Sequence, residues 1–214
     1  MHELLPLYRQ HHDRLLAVRE QFPDEDLYGP LLCEPGPYLD QPVRLLVIGQ
    51  ETNGWACEPR DLEGQLRAYR DFEVGRHWRR SPFWQLVREV EARLGLPPCS
   101  CAWSNLNRYD QDEGPPGGAV LAALTGLDFL LREEISLLRP DVCLFFTNRK
   151  FDARLETLYP GLHQESLAGL PAPDVVRLHH PELPAFTLRS PHPKSIRLRQ
   201  LGAAFLNCLP SRAA

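Results

Sequence analysis

Apolar and polar positions along this chain repeat with two different periods, and the period predicts the element. Leu4, Leu5, Tyr8, His12, Leu15, Leu16 and Val18 recur at helical spacing, so residues 1–40 are expected to open on a helix. A Pro/Gly-rich connection follows. Val43-Arg44-Leu45-Leu46-Val47-Ile48 is a short, nearly continuous apolar run, the pattern of a parallel strand buried on both faces. It ends in Gly49-Gln50-Glu51-Thr52-Asn53-Gly54-Trp55, whose Gly and Asn predict a loop. Residues 61–80 read as polar and Arg-rich, with no element assigned. Ser81-Pro82 offers a cap and a first-turn proline for a helix in which Phe83, Trp84, Leu86, Val87, Val90 and Leu94 keep helical spacing until Gly95. Further strands are expected at 101–106, 142–146, 175–178 and 186–188, and further helices at 121–138, near 151–158 and at 196–209. Strands alternating with helices predict one α/β domain over residues 1–214, with 1–40 as an N-terminal helical extension. The expected architecture is a three-layer α/β/α fold around a mainly parallel central sheet.

Composition narrows the class. A chain of 214 residues with 24% charged and 43% hydrophobic residues closes a real core, which excludes wholesale disorder. No apolar run approaches the roughly 18 residues of a spanning helix. Met1-His2-Glu3-Leu4-Leu5 lacks the basic segment and apolar core of an export leader. A soluble, cytoplasmic monomer with no membrane partner is expected. The six cysteines contain no CxxC pair, and Cys99-Ser-Cys101 is their one close couple, so neither metal nor cofactor is expected and the thiols read as free.

The net charge of −4 excludes a general basic coat for nucleic acid, but the charge is unevenly placed. Residues 1–40 hold eight acids against three arginines, a local balance of −5. From Thr187 onward there are five basic residues (Arg189, Lys194, Arg197, Arg199, Arg212) and no acid. Together with Arg76, Arg79 and Arg80, that tail predicts a local basic rim; a solvated arginine face is the alternative. Ser195 and the first turn of the last helix add amide and hydroxyl donors suited to a phosphate.

Candidate chemistry lies where sites form in open parallel sheets, at the carboxyl ends of strands. Glu51, Asn105 and His192 each follow or close a strand, so a parallel sheet would bring them to one rim. Taken singly, each has a structural reading: a helix cap for Glu51, a turn for Asn105, a satisfied loop histidine for His192. Taken together, a carboxylate, a carboxamide and an imidazole can activate water, read a hydrogen-bonding edge and stabilise a developing anion.

Five segments in order resemble the uracil-DNA glycosylase superfamily. Gly49-Gln50-Glu51 after an apolar strand resembles its water-activating motif, and Ser81-Pro82-Phe83-Trp84-Gln85-Leu86 is similar to a helix start in its mismatch-specific branch. Trp103-Ser104-Asn105-Leu106-Asn107 resembles the strand that carries the base-reading asparagine. Ile135-Ser136-Leu137-Leu138-Arg139-Pro140-Asp141-Val142 is similar to its helix, arginine-proline turn and third strand. His192-Pro193-Lys194-Ser195 resembles its second catalytic motif, His-Pro-Ser. The likeness covers about residues 43–209. Three departures stand out: Thr52 replaces the usual proline, Lys194 displaces the motif serine to Ser195, and Glu51 stands where branches carry Asp, Asn, Ala or Gln. The cysteine spacing does not match the iron–sulfur branches.

The resemblance implies a DNA partner, single- or double-stranded, and a hydrolase acting on N-glycosyl bonds of uracil or a related damaged base. The base must be flipped into a pocket or taken from single strands. Glu51 would orient water, His192 would hydrogen-bond the departing base, and Asn105 would read its edge, with Gly49 and Gln50 beside it. Trp78 would stack on the base, with Phe72 behind it. Lys194, Ser195, Arg197, Arg79 and Arg80 would meet the backbone of the DNA. Two other readings stay open: a nucleic-acid or nucleotide-binding module of the same fold without turnover, and a small-molecule α/β hydrolase. The absence of a GxSxG elbow and of a P-loop weighs against the latter.

Overall fold

The apolar run near residue 45 forms the most deeply buried strand of the protein, and the other elements are arranged around it. A computed structural model of the chain describes residues 4–55 and 61–210. Cys57 and Arg212 lie outside the described residues. The chain opens with α1 (Leu4–Gln10), α2 (His12–Gln21), β1 (Leu27–Tyr28) and β2 (Leu45–Gly49). It continues through α3 (Leu62–Phe72), α4 (Pro82–Arg93), β3 (Ala102–Asn105) and β4 (Asp110–Gln111). Next come α5 (Gly118–Thr125), α6 (Asp128–Leu138), β5 (Val142–Phe145) and α7 (Asp152–Leu158). The last elements are β6 (His163–Ser166), β7 (Val176–His179), β8 (Phe186–Arg189), α8 (Pro193–Leu198) and α9 (Gly202–Asn207).

The fold is α/β, with a six-stranded sheet in the order β3-β2-β5-β8-β7-β6 flanked by helices. The sheet is mixed. β3, β2, β5 and β8 are parallel, while β7 runs antiparallel to both β8 and β6. The short connections around β7 explain the change, because a parallel return needs a crossover of a dozen or more residues. β1 and β4 form a separate two-stranded ribbon.

Several elements differ from the pattern-based expectation. The polar stretch after residue 60 contains α3, whose Leu66 and Tyr69 are buried while Leu62 and Phe72 pack against the core. The Asp61 side chain caps it by accepting from Gly64 N at 2.8 Å. By contrast, the Ser81 side chain makes no capping bond at the start of α4. The helix expected at 121–138 is two helices, because tight bonds from Gly126 N and Leu127 N turn the chain. The helix expected at 196–209 is likewise split. Gln200 adopts a positive φ of 57°, and Leu201 N bonds Ile196 O at 2.9 Å, a helix-ending Schellman arrangement.

The opening segment is built into the core through a buried ion pair. Arg108 and Glu134 are at most 1% exposed and meet in two parallel bonds of 2.7 and 2.8 Å. Ser104 donates to the same carboxylate at 2.7 Å, and Tyr8 of α1 donates to it at 2.5 Å. The Tyr8 hydroxyl accepts from Cys33 N at 2.9 Å, and Arg108 Nη1 reaches Leu31 O at 3.3 Å. Removing one member of such a pair leaves a buried charge without its counterion. In urea unfolding, Glu134→Ala is expected to lose about 3–5 kcal/mol, and Tyr8→Phe about 1 kcal/mol. A Glu134→Ala protein as stable as the wild type would show that the pair does not hold the fold together.

Candidate active site

Parallel pairing brings three strand ends to one rim. β3 ends on Asn105, directly across the ladder from Gly49 at the end of β2. Glu51 lies two residues beyond β2, and His192 lies three beyond β8. All three side chains line one cavity of about 840 Å³, which Gly49, Gln50, Trp78 and Arg80 also line. The chain has four tryptophans, and Trp55, Trp78, Trp84 and Trp103 all line this cavity. Phe72 sits among them, with its ring centroid 5.2 Å from that of Trp103 and 5.6 Å from that of Trp55. Trp78 stands at the mouth, 59% exposed and 6.4 Å from Phe72.

Asn105 is fully buried, and its orientation is fixed. Trp103 Nε1 donates to its Oδ1 at 3.1 Å, so the amide nitrogen must point the other way. That Nδ2 is buried and has no hydrogen-bond partner among the described residues. A buried amide NH₂ without a partner is costly, and a ligand carbonyl would satisfy it. Gly49 makes the arrangement possible, because a Cβ there would lie 2.3 Å from Asn105 Oδ1.

Glu51 is half-buried, and desolvation pushes its carboxyl above the ordinary carboxylate range against the opposing pull of the Asn107 hydrogen bond. Asn107 Nδ2 donates to Glu51 Oε2 at 3.2 Å. The loop carrying Glu51 is clamped by the buried Asp110 carboxylate. Asp110 accepts from the Thr52 hydroxyl, from Gly54 N at 3.0 Å and from Trp55 N at 3.3 Å. Trp55 is held in turn by its indole bond to Gln65 at 3.2 Å.

His192 caps α8. Its Nδ1 accepts from Lys194 N at 3.1 Å, and a backbone N–H can only donate, so Nδ1 carries no proton. Burial lowers its pKa below the ordinary imidazole value, and Lys194 lowers it further. The ring is therefore neutral near pH 7, with its proton on Nε2.

The expected DNA-contacting residues are less uniform. Arg79 and Arg80 are exposed, and Arg80 alone of the two lines the cavity. Lys194 is exposed at the start of α8, and Arg197 is paired with Glu89. Arg76 is paired with Glu73. The amides expected to bind phosphate there are occupied, since Lys194 N and Ser195 N both bond His192. Among the described residues no cluster of His, Cys, Asp and Glu is placed to hold a metal, and no helix is long and apolar enough to cross a membrane.

Trp103, Asn107, Thr52 and Asp110 join the site through the structure, with no role expected for them from the sequence pattern. One signal was present: 103, 105 and 107 alternate along a strand and its extension, so they share a face. No protein-family model matches the chain, and no curated protein matches it.

Gly49→Ala is expected to push Asn105 off its bond to Trp103. In a ¹H–¹⁵N spectrum the Trp103 indole resonance should move, and stability should fall by about 1–3 kcal/mol. An unchanged indole resonance would mean that Gly49 does not set the Asn105 position.

Proposed function

We propose that this protein is a DNA glycosylase of the uracil-DNA glycosylase kind, which flips uracil or a related damaged base into the tryptophan-lined cavity and hydrolyses its N-glycosidic bond. On this reading the mixed sheet and its flanking helices form that superfamily's three-layer α/β/α fold. The observation that carries the proposal is the buried, unpaired Nδ2 of Asn105, a residue that lines the same cavity as Glu51 and His192.

The chemistry follows from what each group can donate or accept. Uracil presents two carbonyl oxygens and an N3–H between them. Asn105 Nδ2 donates to one carbonyl, and the remaining lone pair on Oδ1 faces the N3–H. Cytosine would place an amino group against the Asn105 amide and leave donors unpaired, a mismatch that gives strong discrimination. His192 Nε2–H donates to the other carbonyl as the base leaves. The bonding electrons of the glycosidic bond pass to the base, and the hydrogen bond stabilises its developing negative charge. The Glu51 carboxylate offsets the cationic character of the sugar carbon as the base departs, and then accepts a proton from the water whose oxygen bonds that carbon. The aromatic walls stack the base and keep bulk water out, which strengthens each of these contacts.

Thr52 takes the place of the expected proline but supports the same reading. Its hydroxyl bonds Asp110, so the loop is held by a buried clamp where a proline would hold it by ring geometry.

Single-turnover assays on uracil-containing single- and double-stranded oligonucleotides test the proposal. Wild type should produce abasic sites, and Glu51→Gln and His192→Ala should each lose at least about tenfold in rate. Glu51 must be ionised and His192 neutral, so both act on the acid side: the rate should be flat at neutral and alkaline pH and fall on acidification. No excision of any common damaged base, with DNA binding intact, would replace this reading with a binding module.

A further inference from the structure

Glu51 is the end of a hydrogen-bonded line that begins on two helices behind the sheet rim. Arg154, on α7, donates through Nη1 to Asn107 Oδ1 at 2.6 Å, and Asn107 Nδ2 donates to Glu51 Oε2 at 3.2 Å. Asp128, the first residue of α6, fixes the guanidinium by accepting from Arg154 Nε at 2.6 Å and from Nη2. Arg154 Nη2 also donates to Leu106 O at 3.1 Å, on the residue between Asn105 and Asn107.

The direction of this line is forced. A guanidinium has donors only, so Asn107 must turn its oxygen towards Arg154 and therefore its NH₂ towards Glu51. The backbone agrees, since Asn107 N donates to Gln50 O at 2.7 Å and holds the two segments together. Asn107 is itself buried and Arg154 is nearly so, which keeps water from replacing either bond. Charge also acts on Glu51 directly: Lys150, just beyond β5, and Arg154 itself lower its pKa, and Asp110 of β4 raises it.

We infer that Arg154 and Asn107 are positioning residues: Arg154 sets the Asn107 carboxamide so that it donates to Glu51 and holds that carboxylate in the cavity as a proton acceptor. The inference rests on the glycosylase reading for its function, but not for its geometry. A purely structural role, tying α6 and α7 to the end of β3, would need the Arg154–Asn107 bond and not the Asn107–Glu51 bond.

Asn107→Asp separates these roles. A carboxylate at 107 still accepts from Arg154, yet it offers Glu51 a negative charge where a donor stood. The Glu51 carboxyl can be followed by ¹³C NMR, its resonance identified by loss in Glu51→Gln. In Asn107→Asp it should titrate about 1–3 pH units higher. The acid limb of single-turnover uracil excision should move with it, and the rate at mildly acidic pH should fall at least about tenfold. Oligonucleotide affinity should stay close to wild type, and the thermal midpoint should fall at neutral pH and recover on acidification, because the raised carboxyl is ionised at a cost above its new titration point. Arg154→Met, which frees the carboxamide to turn and also removes the guanidinium's own charge, should shift the Glu51 titration in the same direction by less. The shift should be smaller again in an Asn107→Ala background, where no carboxamide remains to turn. A folded Asn107→Asp protein with an unmoved Glu51 titration would overturn the inference. An unmoved titration in Arg154→Met would overturn the part assigned to Arg154. If Glu51 moves as expected while wild type excises no base, the positioning stands and the glycosylase reading fails.

Discussion

The buried pair between Arg108 and Glu134 fixes how α1, β3 and α6 meet. Its two charges are out of water, and they are tolerable only because every side of the carboxylate is met by a donor: Arg108 twice, Ser104 and Tyr8. Those donors come from α1, from β3 and from the segment just after β3, so the network fixes where the end of β3 lies. Side chains alternate across an extended chain, and here the alternation divides two environments. Ser104 and Arg108 face the ion pair, while Trp103 and Asn105 line the cavity and Asn107, just beyond the strand, bonds Glu51. The fold-holding network and the proposed site are opposite faces of one short segment.

The cavity environment sets the chemistry of that second face. Its tryptophans bring apolar surface close to two titratable groups, and burial drives those groups in opposite directions. A carboxyl becomes a stronger base and an imidazole holds its proton less firmly, which are the states needed for accepting a proton and for donating a hydrogen bond without charge. Each group is also given an orientation by a partner that can act in one sense alone. Trp103 can only donate to Asn105, Arg154 can only donate to Asn107, and the Lys194 amide can only donate to His192. Three donor-only partners leave three side chains with little freedom.

Much of this was legible in the sequence where hydrophobic pattern and strand order decide the outcome. The apolar run into Gly49-Gln50-Glu51, the second strand into Asn105 and the strand before His192 were enough to place three polar groups on one rim. Features resting on single backbone angles or on polar pairing were not. Gln200 takes a left-handed conformation that a glycine would have signalled, so the break between α8 and α9 left no mark. β6 is a polar edge strand held through its backbone, with no apolar alternation to announce it. α3 did carry a signal, since Leu62, Leu66, Tyr69 and Phe72 keep helical spacing beneath the arginines. Arg154 and Asp110 are separated in sequence from the groups they hold, and no local pattern connects them.

On the proposed reading an extruded base sits between Asn105 and His192, facing Glu51. A crystal structure of the Glu51→Gln protein with a single-stranded oligonucleotide carrying one uracil tests it most directly. The uracil is expected inside the tryptophan-lined cavity, with one carbonyl oxygen about 3 Å from Asn105 Nδ2 and the other about 3 Å from His192 Nε2. A uracil bound elsewhere on the protein, with the Asn105 amide still unpaired, would contradict it.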